Sequence, residues 1–189
     1  MEPLELYLHI PFCISKCKYC DFLSAPSEFQ ERQDYVESLC RDIRSYRNLA
    51  EAYVVVSIFI GGGTPSILTP SQIKDIFKSI KETFKLFDEA EITIEMNPGT
   101  VDKEKLRTYR KVGINRLSIG LQSALDEELK KLGRIHTFEE FLDTYKLARE
   151  EGFHNINIDL MSAIPGQTVE SYEYTLRTVA EIKPEHISA

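Results

Sequence analysis

Tyr53-Val54-Val55-Val56-Ser57-Ile58-Phe59-Ile60-Gly61-Gly62-Gly63-Thr64-Pro65 is the stretch from which the fold can be read. Its first part is almost wholly apolar and rich in β-branched side chains, and it stops at three glycines and a proline. A run of that kind predicts a strand covered on both faces, as in a parallel sheet. Outward from it, the periodicity alternates between strand and helix. Upstream, Leu4 to Ile10 reads as a strand and Glu28 to Ala50 as a helix with Tyr35, Val36, Leu39, Cys40 and Ile43 on one stripe. Downstream, Pro70 to Phe87 carries Ile73, Ile76, Phe77 and Ile80 at helical spacing, with Ser71 as its candidate N-cap. Strands follow at Glu91 to Glu95, Asn115 to Ile119 and His154 to Leu160. Helices follow at Asp102 to Gly113, Leu125 to Leu132, Phe138 to Glu151 and Val169 to Ile182, and Glu185 to Ser188 begins a sixth strand.

Strands separated by connections long enough to hold a helix predict an α/β fold with a parallel sheet and right-handed crossovers. The expectation is one domain over residues 1–189, an incomplete parallel (β/α)6 barrel that stops in its sixth strand, with a further C-terminal domain lying outside it. The chain has 189 residues, fewer than the ~250 of a closed eight-fold barrel. Its 30 acidic residues outnumber 23 Lys and Arg, for a formal charge of −7. That balance, with no basic block, argues against nucleic acid as the main partner. No apolar run approaches the roughly 20 residues of a membrane helix, and the first residues lack the basic start and apolar stretch of an export signal. A cytoplasmic protein without an integral membrane segment is expected.

Of four cysteines, three fall close together as Cys13-x3-Cys17-x2-Cys20, while Cys40 lies on the apolar helix stripe and reads as a small buried hydrophobe. In a reducing compartment closely spaced cysteines are ligands more often than disulfides. Three thiolates on one short loop can hold three irons of a [4Fe–4S] cluster and leave the fourth without a protein ligand. Zinc is the competing assignment, with His9 completing a Cys3His set. In parallel β/α folds, reactive groups gather where strands exit toward their helices. There the sequence places the three cysteines, the glycines, then Glu95, Gln122 and Asp159, which points to a cofactor lying across the mouth of the sheet. The glycine run is neither a Walker loop nor a dinucleotide fingerprint, and it lets a ligand approach the backbone closely.

Taken in order, His9-Ile10-Pro11-Phe12-Cys13-x3-Cys17-x-Tyr19-Cys20, GGGTP, Gly120-Leu121-Gln122-Ser123 and Asp159-Leu160-Met161 with Pro165-Gly166-Gln167-Thr168 resemble radical S-adenosylmethionine (SAM) enzymes. Among them, the set is most similar to the oxygen-independent coproporphyrinogen III oxidase family. The resemblance implies that Cys13, Cys17 and Cys20 ligate the cluster and that SAM chelates its open iron. It implies SAM contacts from Tyr7, Gly62, Gly63, Thr64, Glu95, Gln122, Arg134 and Asp159, with Tyr19 as an aromatic beside the cluster. In the oxidases Gln122, Arg134 and Asp159 correspond to residues that serve a second SAM. Glu95 and Asp159 would accept from ribose hydroxyls or an ammonium group, and Arg134 would clamp a carboxylate. His136, His154 and His186 read as structural or exposed.

One position departs from the oxidase pattern. The oxidases resemble CxxxCxxCxC, and here the place of the further cysteine is held by Phe22 after Asp21. Cys-Asp-Phe is similar to the haem-chaperone branch of the same family. The implied partners are then SAM, haem or a porphyrinogen, a haem-acceptor protein and an electron donor for the cluster. The haem-binding features of that branch lie in a C-terminal region beyond residue 189. The alternative is the oxidase itself, which decarboxylates two propionates of coproporphyrinogen III.

Overall fold

The computed structural model describes residues 1–189. Six parallel strands form one sheet in chain order: β1 (Glu2–Ile10), β2 (Tyr53–Gly62), β3 (Leu86–Met96), β4 (Arg116–Gln122), β5 (Ile156–Leu160) and β6 (His186–Ser188). Six main helices connect them: α1 (Phe29–Ser45), α2 (Pro70–Thr83), α3 (Lys103–Val112), α4 (Asp126–Leu132), α5 (Phe138–Glu150) and α6 (Val169–Ile182). The arrangement is the expected (β/α)6 half-barrel. Strands are laid down side by side because each crossover helix returns the chain to the same edge.

The helices cover one face of the sheet. Ile58 and Ile60 of β2, Ile94 of β3, Ile119 of β4 and Ile158 of β5 are buried there with Ile73, Ile76, Phe77 and Ile80 of α2. Cys40 joins this core. The other face is concave and open. On it Ser57 and Phe59 of β2 are half-buried, and Phe59 stacks on the exposed Tyr7 at 6.1 Å between ring centroids. The run that suggested cover on both faces is thus packed on one and walls a hollow on the other.

Local chemistry sets the element ends. Thr69, rather than Ser71, caps α2: its side chain accepts from the Gln72 amide while Gln72 returns the bond, and Pro70 takes the first helical position. The same helix ends at Thr83, four residues before the expected Phe87. From Phe84 the chain alternates, with Phe84 and Leu86 packed on the core and Lys85 and Phe87 outside, so period two wins and β3 starts at Leu86. The first helix breaks at Tyr46, leaving a separate turn at Arg47–Ala50. Gly113 and Gly133, at φ 112° and 75°, close α3 and α4 in the left-handed conformation that glycine adopts without a Cβ penalty.

Candidate cofactor site

Every strand from β1 to β5 exits toward the same rim. After β1 the chain forms a two-residue parallel pair, Phe12–Cys13 against Ala25–Pro26, which clasps a loop carrying all three clustered cysteines. The loop is pinned at Lys18, whose amide donates to the Leu132 carbonyl at 2.9 Å, and by a turn from the Cys20 amide to the Cys17 carbonyl at 3.2 Å. The glycine turn after β2 packs straight onto its stem: Gly63 N donates to Ile10 O at 2.8 Å and Thr64 N to Phe12 O at 2.7 Å. A Cβ on Gly63 would lie 2.5 Å from the Phe12 carbonyl oxygen and 3.0 Å from the Cys13 sulfur, so only glycine permits this approach.

A cavity of about 690 Å³ opens between loop and sheet. Its walls bring together Cys13, Cys17, Cys20 and Tyr19 from the loop with Gly62, Gly63 and Thr64 from the turn. Glu95, Gln122, Arg134 and Asp159 complete it from β3, β4, the segment after α4 and β5. Of the residues expected to ligate the cluster or contact SAM, Tyr7 alone stands outside these walls. Its hydroxyl lies 3.2 Å from His9 Nδ1, and its ring is mostly in solvent.

The walls are tied together from behind by a chain of hydrogen bonds. Thr64 Oγ1 donates to Cys13 Sγ at 3.5 Å and accepts from Asn97 Nδ2 at 2.9 Å. Asn97 Oδ1 accepts from Arg134 Nη2 at 2.8 Å, and Arg134 Nη1 donates to Cys17 Sγ at 3.8 Å. Arg134 also donates to the Gly120 carbonyl, where a Cβ would fall 3.0 Å from its Nη2. Its Nε is buried without a partner. The guanidinium thus braces the cysteine loop from the cavity wall through Cys17, Asn97 and the Gly120 carbonyl.

Two carboxylates face the hollow in different states. Glu95 Oε2 accepts from the Gly62 amide at 3.1 Å. Burial raises its pKa to about 7; the Gly62 hydrogen bond and the nearby His9 oppose the rise, and the Asp159 charge adds to it. Asp159 has both oxygens engaged, Oδ1 by Asn157 Nδ2 at 2.7 Å and Oδ2 by Ser118 Oγ at 2.9 Å. Gln122 sits at a bulge against β5 with φ 75°, and its carbonyl accepts from the Met161 amide at 2.9 Å. His136 is buried with Nε2 3.3 Å from the Leu121 carbonyl oxygen, and burial together with the Arg134 charge lowers its pKa to about 4. It is buried, the first of the two places, structural or exposed, that the sequence offered for it.

Asn97, Ser118 and Asn157 escaped the sequence reading. Asn97 opens the Asn-Pro-Gly stretch after β3, turn chemistry by composition, yet its side chain is the hub between the glycine turn and Arg134. Its signal was position, two residues past Glu95 at a strand exit. Ser118 and Asn157 are polar residues at strand positions with alternation toward the concave face.

The donor set fits a cluster better than a single ion. All four cysteines are free, and three of them face one cavity. No group of three or more His, Cys, Asp or Glu side chains converges as donors to one metal ion must. Both His9 nitrogens are within hydrogen-bond reach of partners, Nδ1 of the Tyr7 hydroxyl and Nε2 of the Leu23 carbonyl oxygen at 3.0 Å. In a cluster each thiolate binds its own iron, so the three need not meet at a point.

Comparison with known proteins agrees with this geometry. The chain is 42% identical over its whole length to a protein named heme chaperone HemW from Haemophilus influenzae, and 41% identical to the Escherichia coli protein of the same name. It spans about half the length of these relatives, 50% of each. Among solved structures it superposes on E. coli coproporphyrinogen III oxidase HemN, described as a radical SAM enzyme, with a TM-score of 0.87 and 34% identity, covering 100% of this chain and 44% of that one. The methyltransferase TsrM of Kitasatospora setae, at 16% identity and a TM-score of 0.63, shares the fold alone. The radical SAM superfamily pattern matches residues 7–179, which include the cysteine loop, the glycine turn and every strand that walls the cavity. The chain belongs to the radical SAM superfamily, and that membership implies a [4Fe–4S] cluster and SAM as its cofactors.

Proposed function

We propose that this chain is the cofactor-binding part of a cytoplasmic haem chaperone that receives haem and passes it to an acceptor protein, with an electron donor serving the cluster. Cys13, Cys17 and Cys20 would ligate the cluster. Gly62, Gly63, Thr64, Glu95, Gln122 and Asp159 would surround SAM, and Tyr19 would lie beside the cluster, while Arg134 braces the cysteine loop. When bound, the pair supplies one-electron reductive cleavage of a sulfonium. The chain's own residues position it: the glycine turn removes Cβ atoms from the approach, Asp159 is held by Ser118 and Asn157, and the neutral or ionised state of Glu95 is set by burial. Four free thiols and no disulfide suit a reducing compartment.

The observation that carries the haem-chaperone reading is Phe22. It lies on the cavity wall with 67% of its surface exposed, two residues after Cys20, where the oxidases resemble a further cysteine. The close superposition on coproporphyrinogen III oxidase favours a second reading, decarboxylation of that porphyrinogen. The protein carrying this chain, reconstituted without oxygen, separates them. Titration with haem is expected to give a saturable absorption change. Incubation with coproporphyrinogen III, SAM and reductant is expected to leave the substrate unchanged, and formation of protoporphyrinogen IX would sink the chaperone reading. In the same preparation Cys17→Ala is expected to abolish the brown cluster absorbance and Cys40→Ala to retain it. Equal loss in both would refute the division between ligand and core cysteine.

A further inference from the structure

The Pro165-Gly166-Gln167-Thr168 motif and Ser123 lie outside the cofactor cavity, yet Gln167 of that motif and Ser123 meet at one buried carboxylate. Glu128 sits on α4 with 4% of its surface exposed. Its Oε2 accepts from Ser123 Oγ at 2.6 Å and from Gln167 Nε2 at 3.0 Å, and its Oε1 accepts from Ser171 Oγ at 2.7 Å. The three donors belong to the exit of β4, the loop after β5 and the first turn of α6. The junction extends further, since Thr175 Oγ1 accepts from the Ala124 amide at 3.2 Å and Ser123 Oγ accepts from the Leu125 amide at 3.0 Å. Burial by itself would raise the Glu128 pKa, but the hydrogen bonds from Ser123, Ser171 and Gln167 and the charge of Lys131 leave it below the ordinary carboxylate value. An ionised carboxylate with three side-chain donors is a stiff joint, because charged acceptors make the stronger hydrogen bonds.

The joint lies directly behind two walls of the cavity. Ser123 follows Gln122, the residue held at φ 75°, and Gln122 O is bonded to the Met161 amide. Gln167 spans the loop that starts at Met161, with Nε2 3.5 Å from the Met161 carbonyl oxygen and Oε1 accepting from the Ile164 amide at 3.4 Å. Gln122 and Met161 both face the cavity. We propose that Glu128 is a positioning residue for SAM binding: by clamping Ser123 and Gln167 together it fixes where Gln122 and Met161 stand on the cavity wall. Groups that orient the residues contacting a cofactor affect its affinity without touching it. The proposal rests on the cavity holding SAM, not on what the protein does with haem.

The test is a SAM titration of the cluster-reconstituted protein that carries this chain, followed by the cluster's spectroscopic response, with iron content and thermal melting measured alongside. Glu128→Ala is expected to weaken SAM binding about tenfold at unchanged iron content, by analogy with other supporting residues around bound metals. Glu128→Gln is expected to restore most of the affinity, since its amide oxygen still accepts from Ser123 and Gln167 and its NH2 donates to Ser171 Oγ. A lower melting temperature with SAM affinity within twofold of wild type would make Glu128 a fold-stabilising residue only, and would overturn the proposal. Should Glu128→Ala fail to fold, Gln167→Ala, which cuts a single arm of the joint, decides: weaker SAM binding supports the clamp and unchanged binding overturns it. A wild-type protein that gives no SAM response overturns the cavity's assignment, and the proposal with it.

Discussion

At the scale of single residues, two titratable groups, the half-buried Glu95 and the buried His136, pull the pH dependence of stability in opposite directions. The Glu95 carboxyl is raised from its ordinary 4.5 to about 7, so the folded chain keeps a proton that the unfolded chain has lost between those values. Each rise in pH through that window therefore destabilises the fold. His136 is lowered from 6.5 to about 4, so the unfolded chain takes up a proton that the folded chain refuses, and each fall in pH through that window destabilises the fold. Each effect is on the order of 3 kcal/mol at the far side of its window. They cancel over the overlap from 4.5 to 6.5. Glu95→Gln keeps an acceptor for the Gly62 amide and removes one side of the balance. Its thermal stability is expected to climb steeply with pH over that overlap, whereas the wild type stays nearly level. Parallel pH profiles for the two proteins would refute the raised Glu95 pKa, and a flat profile for Glu95→Gln would refute the lowered His136 pKa.

Among the elements, the turn after β2 carries the tightest geometry, and it separates two glycines that look alike in sequence. Gly63→Ala must displace the Phe12 carbonyl or the Cys13 sulfur, which lie 2.5 Å and 3.0 Å from the new Cβ. It is expected to lose cluster retention on reconstitution, with a stability cost of several kcal/mol. Gly99→Ala also strains a left-handed backbone at φ 75°, but nothing lies within 4 Å of its Cβ, so a cost of about 1 kcal/mol with full iron content is expected. If Gly63→Ala reconstitutes as well as Gly99→Ala does, the close packing of turn on loop is wrong. The strand–helix alternation was legible because apolar period is a local property. The end of α2 was not, since Phe84 and Phe87 continue the helical spacing of Ile73, Ile76, Phe77 and Ile80, and only the sheet's neighbours select Phe84 and Leu86 as the pair packed on the core. Asn97 was hidden for a related reason: Asn-Pro-Gly is strong turn chemistry, and its side chain's partners, Thr64 and Arg134, lie far away in the chain.

On the scale of the whole molecule, the sheet is an open half-cylinder whose hollow and whose edges share one cause, the absence of closure among these six strands. β6 pairs with β5 on one side only, and His186, Ile187 and Ser188 are all exposed. Expressed by itself, the 1–189 segment is expected to self-associate through this edge, and Ile187→Lys to shift it toward monomer in sedimentation. A wild-type segment that sediments as a monomer at all concentrations would contradict this. The site was legible at this scale because a parallel sheet sends its chemistry to one rim, so Cys13, Glu95, Gln122 and Asp159 could be grouped before any contact was known. The bracing behind them could not be, because it depends on which side chains meet across strands. The cysteine loop meets the rest of the fold through backbone hydrogen bonds at its stem and at Lys18 and through side-chain contacts from Arg134 to Cys17 and from His9 to Leu23, and its Lys16 is exposed between the stem and Lys18. A cluster gripped by three thiols of this loop would add three further anchors around Lys16, so tryptic nicking there becomes a gauge of metallation: rapid in stripped protein, and slow once iron and sulfide are in place.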